Sequence, residues 1–157
     1  MFNNPGKGES EPTELVASTG YLLARLGMES RRLWGQMLAE FGLTPHDFGV
    51  LMMLRQVDSA SQQQLSRLIG VDPRNVVALI DALESRQFVR RRPDPADRRR
   101  HAVVLTPGGR RLLDKLARAG EQVEQNLLRD LSDDEKASLH RLLAKLFESR
   151  TTDAESS

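Results

Sequence analysis

The chain has 157 residues, of which 39% are apolar, 23 are basic and 22 are acidic, giving a formal net charge of +1. This length and composition predict one globular domain, or one domain with a dimerisation extension, and exclude a chain too polar to form a core. Because there is no cysteine and the three histidines are scattered, we expect no disulfide, no thiol-based redox switch, no metal and no other cofactor.

The two ends of the chain and its apolar runs set the outer boundaries. Residues 1–12 and 148–157 are polar, rich in Gly, Pro, Ser or Thr, and lack periodicity, which predicts two disordered tails. No apolar run approaches the roughly 18 residues that span a bilayer, and the first dozen residues lack a hydrophobic signal segment. We therefore expect a cytoplasmic protein with no membrane partner.

The N-terminal part of the chain predicts helices. Residues 13–41 form a long amphipathic pattern, in which leucines recur at sevenfold or fourfold steps. These leucines are Leu15, Leu22, Leu26 and Leu33. Thr44, Pro45 and Asp47 then predict the start of a second helix that ends near Val57.

Residues 61–86 predict two short helices joined by a tight break. Ser61 and Gln64 have the spacing of a capping box, Gly70 permits the conformation that ends a helix, and Asp72 followed by proline begins the next one. In the second helix the residues expected to face inward are Val76, Leu79, Ile80 and Leu83, and those expected to face outward are Arg74, Asn75, Ala78, Asp81 and Ala82. This pattern is typical of a helix-turn-helix. An ordinary helical hairpin in a bundle stays open as the alternative for this segment alone.

Residues 89–106 predict a basic β-hairpin, with three arginines before a Pro/Asp turn and three after it. In the second arm we expect His101, Val103 and Leu105 to alternate with Ala102 and Val104. From residue 61 to 111 eleven arginines face five carboxylates, so the remainder of the chain carries a net charge of about −5. Arginine forks onto phosphate oxygens, and this asymmetry predicts a DNA-binding face on an acidic body.

The C-terminal part of the chain predicts two more amphipathic helices. Thr106 and Pro107 cap the first, which extends to about Leu131, and Ser132 with Glu135 begins the second. A DNA-binding domain at 42–106 closes its own core, so the apolar faces of 13–41 and 107–147 predict helical dimerisation regions. Packing within one chain stays open as the alternative.

The order of these elements resembles the MarR family of bacterial winged-helix repressors over about residues 15–147. The resemblance is carried by LTPHDFGVLMML at 43–54, the segment 61–86, Asp97-Arg98-Arg99, and Leu105-Thr106. It implies a mainly α fold with a small β wing, in which a winged helix-turn-helix domain is flanked by dimerisation helices. It also implies a homodimer whose recognition helices enter successive major grooves of double-stranded DNA at a near-palindromic operator.

The resemblance assigns roles to the predicted hairpin, or wing. Asp97 buttresses the wing by pairing with a nearby arginine, and Arg99 enters the minor groove. Arg98 or Arg100 holds phosphates.

It assigns roles to the two motif helices as well. Ser61 and Gln62, at the start of the first, present backbone amides and side chains to phosphate, as helix N-termini do. Arg74, Asn75 and Ala78, in the second, face bases.

Two positions depart from the family pattern. The family often has Thr-Arg where this chain has Val77-Ala78. The absence of these two polar side chains removes a possible phosphate or base contact. It often has Gly where this chain has Gln87, so Gln87 must either adopt a strained turn or avoid it.

The resemblance further implies release of DNA by a small, often aromatic or phenolic, anion in the crevice between the helical body and the DNA-binding lobe. The candidate effector-binding residues are Tyr21, Arg25, Trp34 and His46. The alternative is that Trp34 and Tyr21 are core or interface aromatics, that Arg25 is solvated and that His46 is an exposed first-turn residue.

Two other function classes remain to be compared with a sequence-specific regulator. An architectural or protein-interaction module would use the winged helix without reading sequence, and binding would then depend on salt alone. An enzyme is not expected, because there is no Gly-rich phosphate loop, no nucleophile elbow and no converging carboxylate or histidine pair. The sequence thus predicts a homodimeric DNA-binding regulator, with a repressor expected.

Overall fold

The computed structural model describes residues 18–94 and 101–155, with side chains described through residue 149. Within these ranges the helices are α1 (Thr19–Glu40), α2 (Pro45–Val57), α3 (Gln62–Ile69), α4 (Pro73–Ser85), α5 (Pro107–Leu127) and α6 (Asp133–Glu155). The strands are β1 (Ser59–Ser61), β2 (Val89–Pro93) and β3 (His101–Leu105). The predicted mainly α fold with a small β wing is confirmed.

The helix-turn-helix is formed by α3 and α4, and its local signals act as predicted. The Ser61 hydroxyl accepts from the Gln64 backbone N–H at 3.1 Å, while the Gln64 side chain accepts from the Ser61 N–H at 2.8 Å. Gly70 ends α3 with φ +67°, in the left-handed region that glycine enters without steric cost. The Asp72 side chain caps α4 by accepting from the Arg74 N–H at 2.8 Å. The conformation of this turn therefore restricts the angle between α3 and α4.

The three strands form an antiparallel sheet in the order β1-β3-β2. Sequence analysis missed β1, which pairs with β3 through Ser59 opposite Val104 and Ser61 opposite Ala102. In β3, residues 102–105 are all buried and only His101 is exposed. The predicted alternation along this strand is wrong for that reason, since a strand covered on both faces has no solvent side.

The core around the helix-turn-helix is built from α2, α3, α4, α5 and the sheet. Its largest fully buried side chains are Leu51, Leu54, Leu65, Ile80, Leu83, Leu113, Leu116, Val50, Val76, Val89 and Val103. By packing, the chain divides into a unit that ends at Gly120 and a second unit that begins at Glu121. Among the described residues, no helix has both the length and the apolar character that crossing a bilayer demands.

A single arginine ties the end of α1 to the end of α4. The Arg86 guanidinium donates to the backbone oxygens of Gly42 at 2.7 Å and Phe41 at 2.8 Å, and lies 4.8 Å from the centre of the Phe88 ring. These carbonyls belong to the C-terminal end of α1, where a helix has unpaired acceptors and favours a cation. Arg86 thus fixes the end of α1 against the end of α4.

The predicted start of the first helix at residue 13 lies outside the described residues, which begin at residue 18, and α1 is described from Thr19. Two other predicted boundaries need correction. Helix α5 ends at Leu127 instead of about Leu131. Helix α6 continues to Glu155, so residues 148–155 of the predicted disordered tail are helical. Helix α6 is longer than its apolar periodicity indicates, because propagation adds a backbone hydrogen bond for each residue beyond the packed part.

Gln87 adopts the strained turn that its place at the end of α4 requires, with φ +60°. Its backbone N–H donates to the Glu84 oxygen at 2.9 Å, and the N–H of Phe88 donates to the Leu83 oxygen at 3.0 Å. The Thr106 hydroxyl then donates to the Gln87 oxygen at 2.5 Å. Together these three hydrogen bonds hold the backbone of the turn in place. They explain why a residue with a Cβ stays in the left-handed region.

Gln87→Gly should therefore stabilise the protein by about 1 kcal/mol. Glycine relieves a left-handed strain of about 1–2 kcal/mol, and the larger backbone entropy that glycine loses on folding offsets part of this gain. Urea unfolding measures this change. Ala82→Gly is the control, because Ala82 is exposed inside α4, where glycine costs about 1 kcal/mol, so this variant should lose stability. A loss of stability in Gln87→Gly would contradict the strain assignment.

Candidate nucleic-acid interface

The first turns of α4 present polar side chains to solvent. Arg74, Asn75 and Ala78 are exposed, whereas Val76 and Ile80 are fully buried. The predicted inward and outward sets are confirmed, with Leu79 half-buried at the boundary. An arginine and an asparagine at the exposed N-terminal end of such a helix can make bidentate hydrogen bonds to guanine and adenine edges.

Arg74 is held loosely on its neighbour Asp72. Its Nε donates to the Asp72 carboxylate at 3.2 Å, and 91% of the Arg74 side chain is exposed. Hydrogen bonds from the Arg74 side chain and backbone hold the pKa of the Asp72 carboxyl below its usual range. An exposed pair of this kind contributes little to stability, so the Arg74 guanidinium can exchange Asp72 for another acceptor.

The predicted phosphate contacts at the start of α3 are partly occupied within the chain. The Ser61 hydroxyl and amide both serve the capping box with Gln64. The Gln62 amide, with its oxygen turned toward Arg91, accepts from Nε at 2.9 Å and Nη2 at 3.0 Å. The first turn of α3 therefore offers backbone N–H groups, which the helix itself leaves unpaired, more readily than these two side chains.

An open pocket of about 400 Å³ lies between the start of α3 and the wing, which is the β2–β3 hairpin. It is lined by Ser61, Gln62, Gln63, Arg91 and His101. Sequence analysis did not assign Gln63, Arg91 or His101 to the interface. The basic run of the hairpin gave a general signal for Arg91, and the position at the start of a wing strand gave one for His101.

Arg91 differs from the other arginines of β2. Arg90 and Arg92 are exposed, whereas the Arg91 side chain is 22% exposed, because successive strand residues point to opposite faces. The Arg91 guanidinium pairs with Asp81 at 2.5 Å and with Glu84, both on α4, and its backbone N–H donates to Glu84 at 2.7 Å. That backbone bond is the main reason that the pKa of Glu84 lies below its usual range.

The tip of the wing lies outside the described residues. Because residues 95–100 are among those left out, the roles expected of Asp97, Arg98, Arg99 and Arg100 remain predictions. The strands leading into this tip are in place, with Pro93 opposite His101 and Arg92 opposite Ala102. The two paired strands of the predicted hairpin are confirmed, with Arg90, Arg91 and Arg92 on the first of them.

The candidate effector residues are not brought together within the chain. Trp34 packs 5.9 Å from the Phe48 ring, and a Cβ on Gly120 would lie 2.6 Å from the Trp34 ring. Tyr21 and Arg25 lie on the same helix, but Tyr21 is about 20 Å from Trp34 along the axis and on nearly the opposite side, given a rise of about 1.5 Å per residue. His46 is exposed in the first turn of α2. The described geometry gives Trp34 a packing role.

Metal chemistry finds no support in the part of the chain that the structure describes. No three His, Asp or Glu residues among residues 18–94 and 101–149 are grouped so that they could hold an ion.

Comparison with known proteins gives consistent matches along the chain. The sequence model of the MarR family matches residues 43–101. The chain is 31% identical to a putative transcriptional regulatory protein for the hcr operon of Thauera aromatica, over 94% of this chain and 93% of that protein. It is 28% identical to the transcriptional repressor NicR of Pseudomonas putida, over 90% of this chain and 89% of that one.

Solved structures give similar folds. A crystal structure of a MarR variant from E. coli superposes with a TM-score of 0.74 at 29% identity, covering 83% of this chain and 96% of that one. The same variant complexed with operator DNA gives 0.63 at 28% identity, covering 87% and 99%. Bordetella bronchiseptica BpsR, whose DNA binding is regulated by 6-hydroxynicotinic acid, gives 0.63 at 30% identity, covering 86% and 96%.

Proposed function

Because this chain belongs to the MarR family of winged-helix transcriptional regulators, we propose that it is a homodimeric repressor that binds a near-palindromic operator in double-stranded DNA. The observation that carries the proposal is the exposed N-terminal end of α4 with Arg74 and Asn75, on a helix that is bonded through Asp81 and Glu84 to an arginine-bearing hairpin. The complex of the similar E. coli protein with operator DNA supports the partner. The name of the similar NicR supports repression.

Exposed apolar side chains support the dimer. Helix α1 exposes Leu22, Leu23, Leu26 and Met28, and helix α6 exposes Leu142, Leu143, Leu146 and Phe147. Apolar residues clustered at helical spacing in this way typically mark an interface. We propose that both faces are covered by a second copy of the chain, which places two α4 helices on one duplex.

Selection of DNA from a random pool by the purified protein tests the proposal. We expect enriched sequences with two inverted half-sites about 10 base pairs apart, centre to centre, as a symmetric dimer on successive major grooves requires. Binding without an enriched motif would instead support a sequence-blind architectural module.

Arg99→Ala should weaken binding to every duplex and flatten its salt dependence. The slope of log K against log salt should fall by about 0.9 for each phosphate that the variant no longer neutralises. Titrations of operator and random duplexes at several salt concentrations measure it. Arg118→Ala, which removes an exposed arginine of α5, is the control and should leave the slope unchanged. Equal slopes for Arg99→Ala and the wild type would remove Arg99 from the interface.

We further propose that a small aromatic or phenolic anion releases the DNA. Regulation of the similar BpsR by 6-hydroxynicotinic acid supports this ligand class. Tyr21 and Arg25, as an i,i+4 pair on α1, remain candidates to hold a phenolic carboxylate, together with His46 and the neighbourhood of Trp34. Trp34 is the one tryptophan of the chain, so its fluorescence reports ligands bound near it.

A panel of phenolic acids and hydroxylated pyridine carboxylates tests the effector. We expect at least one compound to raise the thermal unfolding midpoint and to release the selected operator. A panel that changes neither the midpoint nor operator binding would contradict the effector proposal and leave the DNA-binding proposal intact.

A further inference from the structure

The side chain of Arg91 joins three elements of the DNA-binding part. It lies on β2 in the wing, contacts Asp81 and Glu84 on α4, and contacts Gln62 at the start of α3. These are the elements that carry the proposed base, phosphate and minor-groove contacts. One arginine of the wing is therefore bonded to both helices of the helix-turn-helix.

The donors of Arg91 are committed to these contacts. Nη1 donates to Glu84, Nη2 donates to Asp81 and to Gln62, and Nε donates to Gln62. The backbone N–H of Arg91 donates to the second oxygen of Glu84, which fixes the main chain of β2 against α4 as well. A planar fork with this set of bonds holds both distance and orientation, which a single point charge does not.

The carboxylates in this cluster are otherwise unfavourable on a DNA-binding helix. Asp81 and Glu84 place two negative charges on α4, the element proposed to enter the major groove, where phosphates repel them. The presence of Asp81 and Glu84 is explained if they hold a neighbouring element in place. Their common partner is Arg91.

We propose that Arg91 is a positioning residue, which sets the wing and the start of α3 against the recognition helix and does not itself contact DNA. The proposal rests on the proposed DNA-binding function, because it concerns the geometry of that interface. In this role for Arg91, Asp81 and Glu84 favour specific binding, although their negative charges are repelled by the phosphates of DNA.

This reversal of sign gives the test. The double variant Asp81→Asn, Glu84→Gln removes two negative charges beside the DNA and no cation. Charge alone predicts tighter binding to every duplex. Loss of positioning predicts at least tenfold weaker binding to the selected operator, with affinity for a random duplex unchanged or raised a few-fold. Fluorescence titrations with both duplexes measure the two affinities.

Two further variants sharpen the result. Glu121→Gln, Glu124→Gln removes two exposed carboxylates of α5 that are not among the partners of Arg91, and it should leave operator affinity within about twofold of wild type. Arg91→Lys keeps the charge but cannot make the forked contacts, so it should lose specific affinity like the double variant. A lysine in a direct phosphate contact would retain most of the affinity.

Hydrogen exchange of the β2 and β3 amides provides a readout that does not need DNA. We expect faster exchange in Arg91→Lys and in the double variant than in the wild type, with the exchange of α5 unchanged. If the double variant is unfolded at the assay temperature, Glu84→Gln alone carries the same expectations. Operator affinity equal to or above that of the wild type in Arg91→Lys or in the carboxylate variant overturns the proposal. If the wild-type protein binds DNA without sequence preference, the proposed function is overturned instead. In that case, hydrogen exchange of β2 and β3 in the variants equal to that of the wild type would overturn the positioning role of Arg91.

Discussion

A monomeric protein that binds operator about 100-fold or more weakly is the expected result of replacing Leu142 and Leu146 by glutamate. Both side chains are more than half exposed in the single chain, and they lie one turn apart on the same face of α6. In the proposed dimer this face is covered, and an unpaired carboxylate placed there costs several kcal/mol. Each copy carries both changes, so the cost is incurred twice.

The weaker operator binding follows from the loss of linkage between half-sites. Two joined modules bind the second half-site at an effective concentration that raises overall affinity by a factor of about 10²–10⁴. Light scattering measures the mass, and titration with selected operator measures the affinity. Ala137→Glu with Arg141→Gln changes the net charge by the same amount at exposed positions away from Leu142 and Leu146, and should remain dimeric. A dimeric Leu142→Glu, Leu146→Glu protein would contradict the assignment of α6 to the interface.

The features of this fold that sequence predicts well are those decided by neighbours in the chain. The capping boxes at Thr44 with Asp47 and at Ser61 with Gln64 each join residues three positions apart. Gly70 and Asp72 act on adjacent turns of backbone in the same way. Because these hydrogen bonds are local, their partners can be read from the spacing of residue types alone.

The features that sequence did not predict depend on residues distant in the chain. Strand β1 has three residues and exists because Ala60 pairs with Val103. Arg86 finds its acceptors at Phe41 and Gly42, more than 40 positions earlier. No periodicity encodes such pairings, since any arginine in the basic segment could have made them. The same limit hid Arg91 among six arginines that look alike in sequence.

Gln87 shows where local and distant effects meet. Its position at the end of α4 signals a left-handed turn, and its residue type opposes that conformation. The Thr106 hydroxyl, 19 positions later, donates to its carbonyl and helps to settle the outcome in favour of the turn. Sequence analysis could state this choice but could not resolve it.

The second large effect is expected at the N-terminal end of α4. Asn75→Ala and Arg74→Ala should each weaken binding to the selected operator by about 1–3 kcal/mol for every base that the side chain had read, which is roughly 5–150-fold, and by twice that free energy where both half-sites are affected. Binding to random duplex should change little, above all for Asn75, which is uncharged. The ratio of the two affinities, measured at one salt concentration, is the quantity to compare.

Arg99→Ala is the contrasting variant, because a cationic contact in the minor groove supports binding to any sequence. Its ratio of operator to random affinity should stay near that of the wild type while both affinities fall. Selection from a random pool with Asn75→Ala should also return a motif with one relaxed position in each half-site, since removing a side chain that reads a base relaxes the preference for that base. If Asn75→Ala, Arg74→Ala and Arg99→Ala all lower operator and random affinities by the same factor, then α4 does not discriminate bases, and specific recognition must lie elsewhere on the chain.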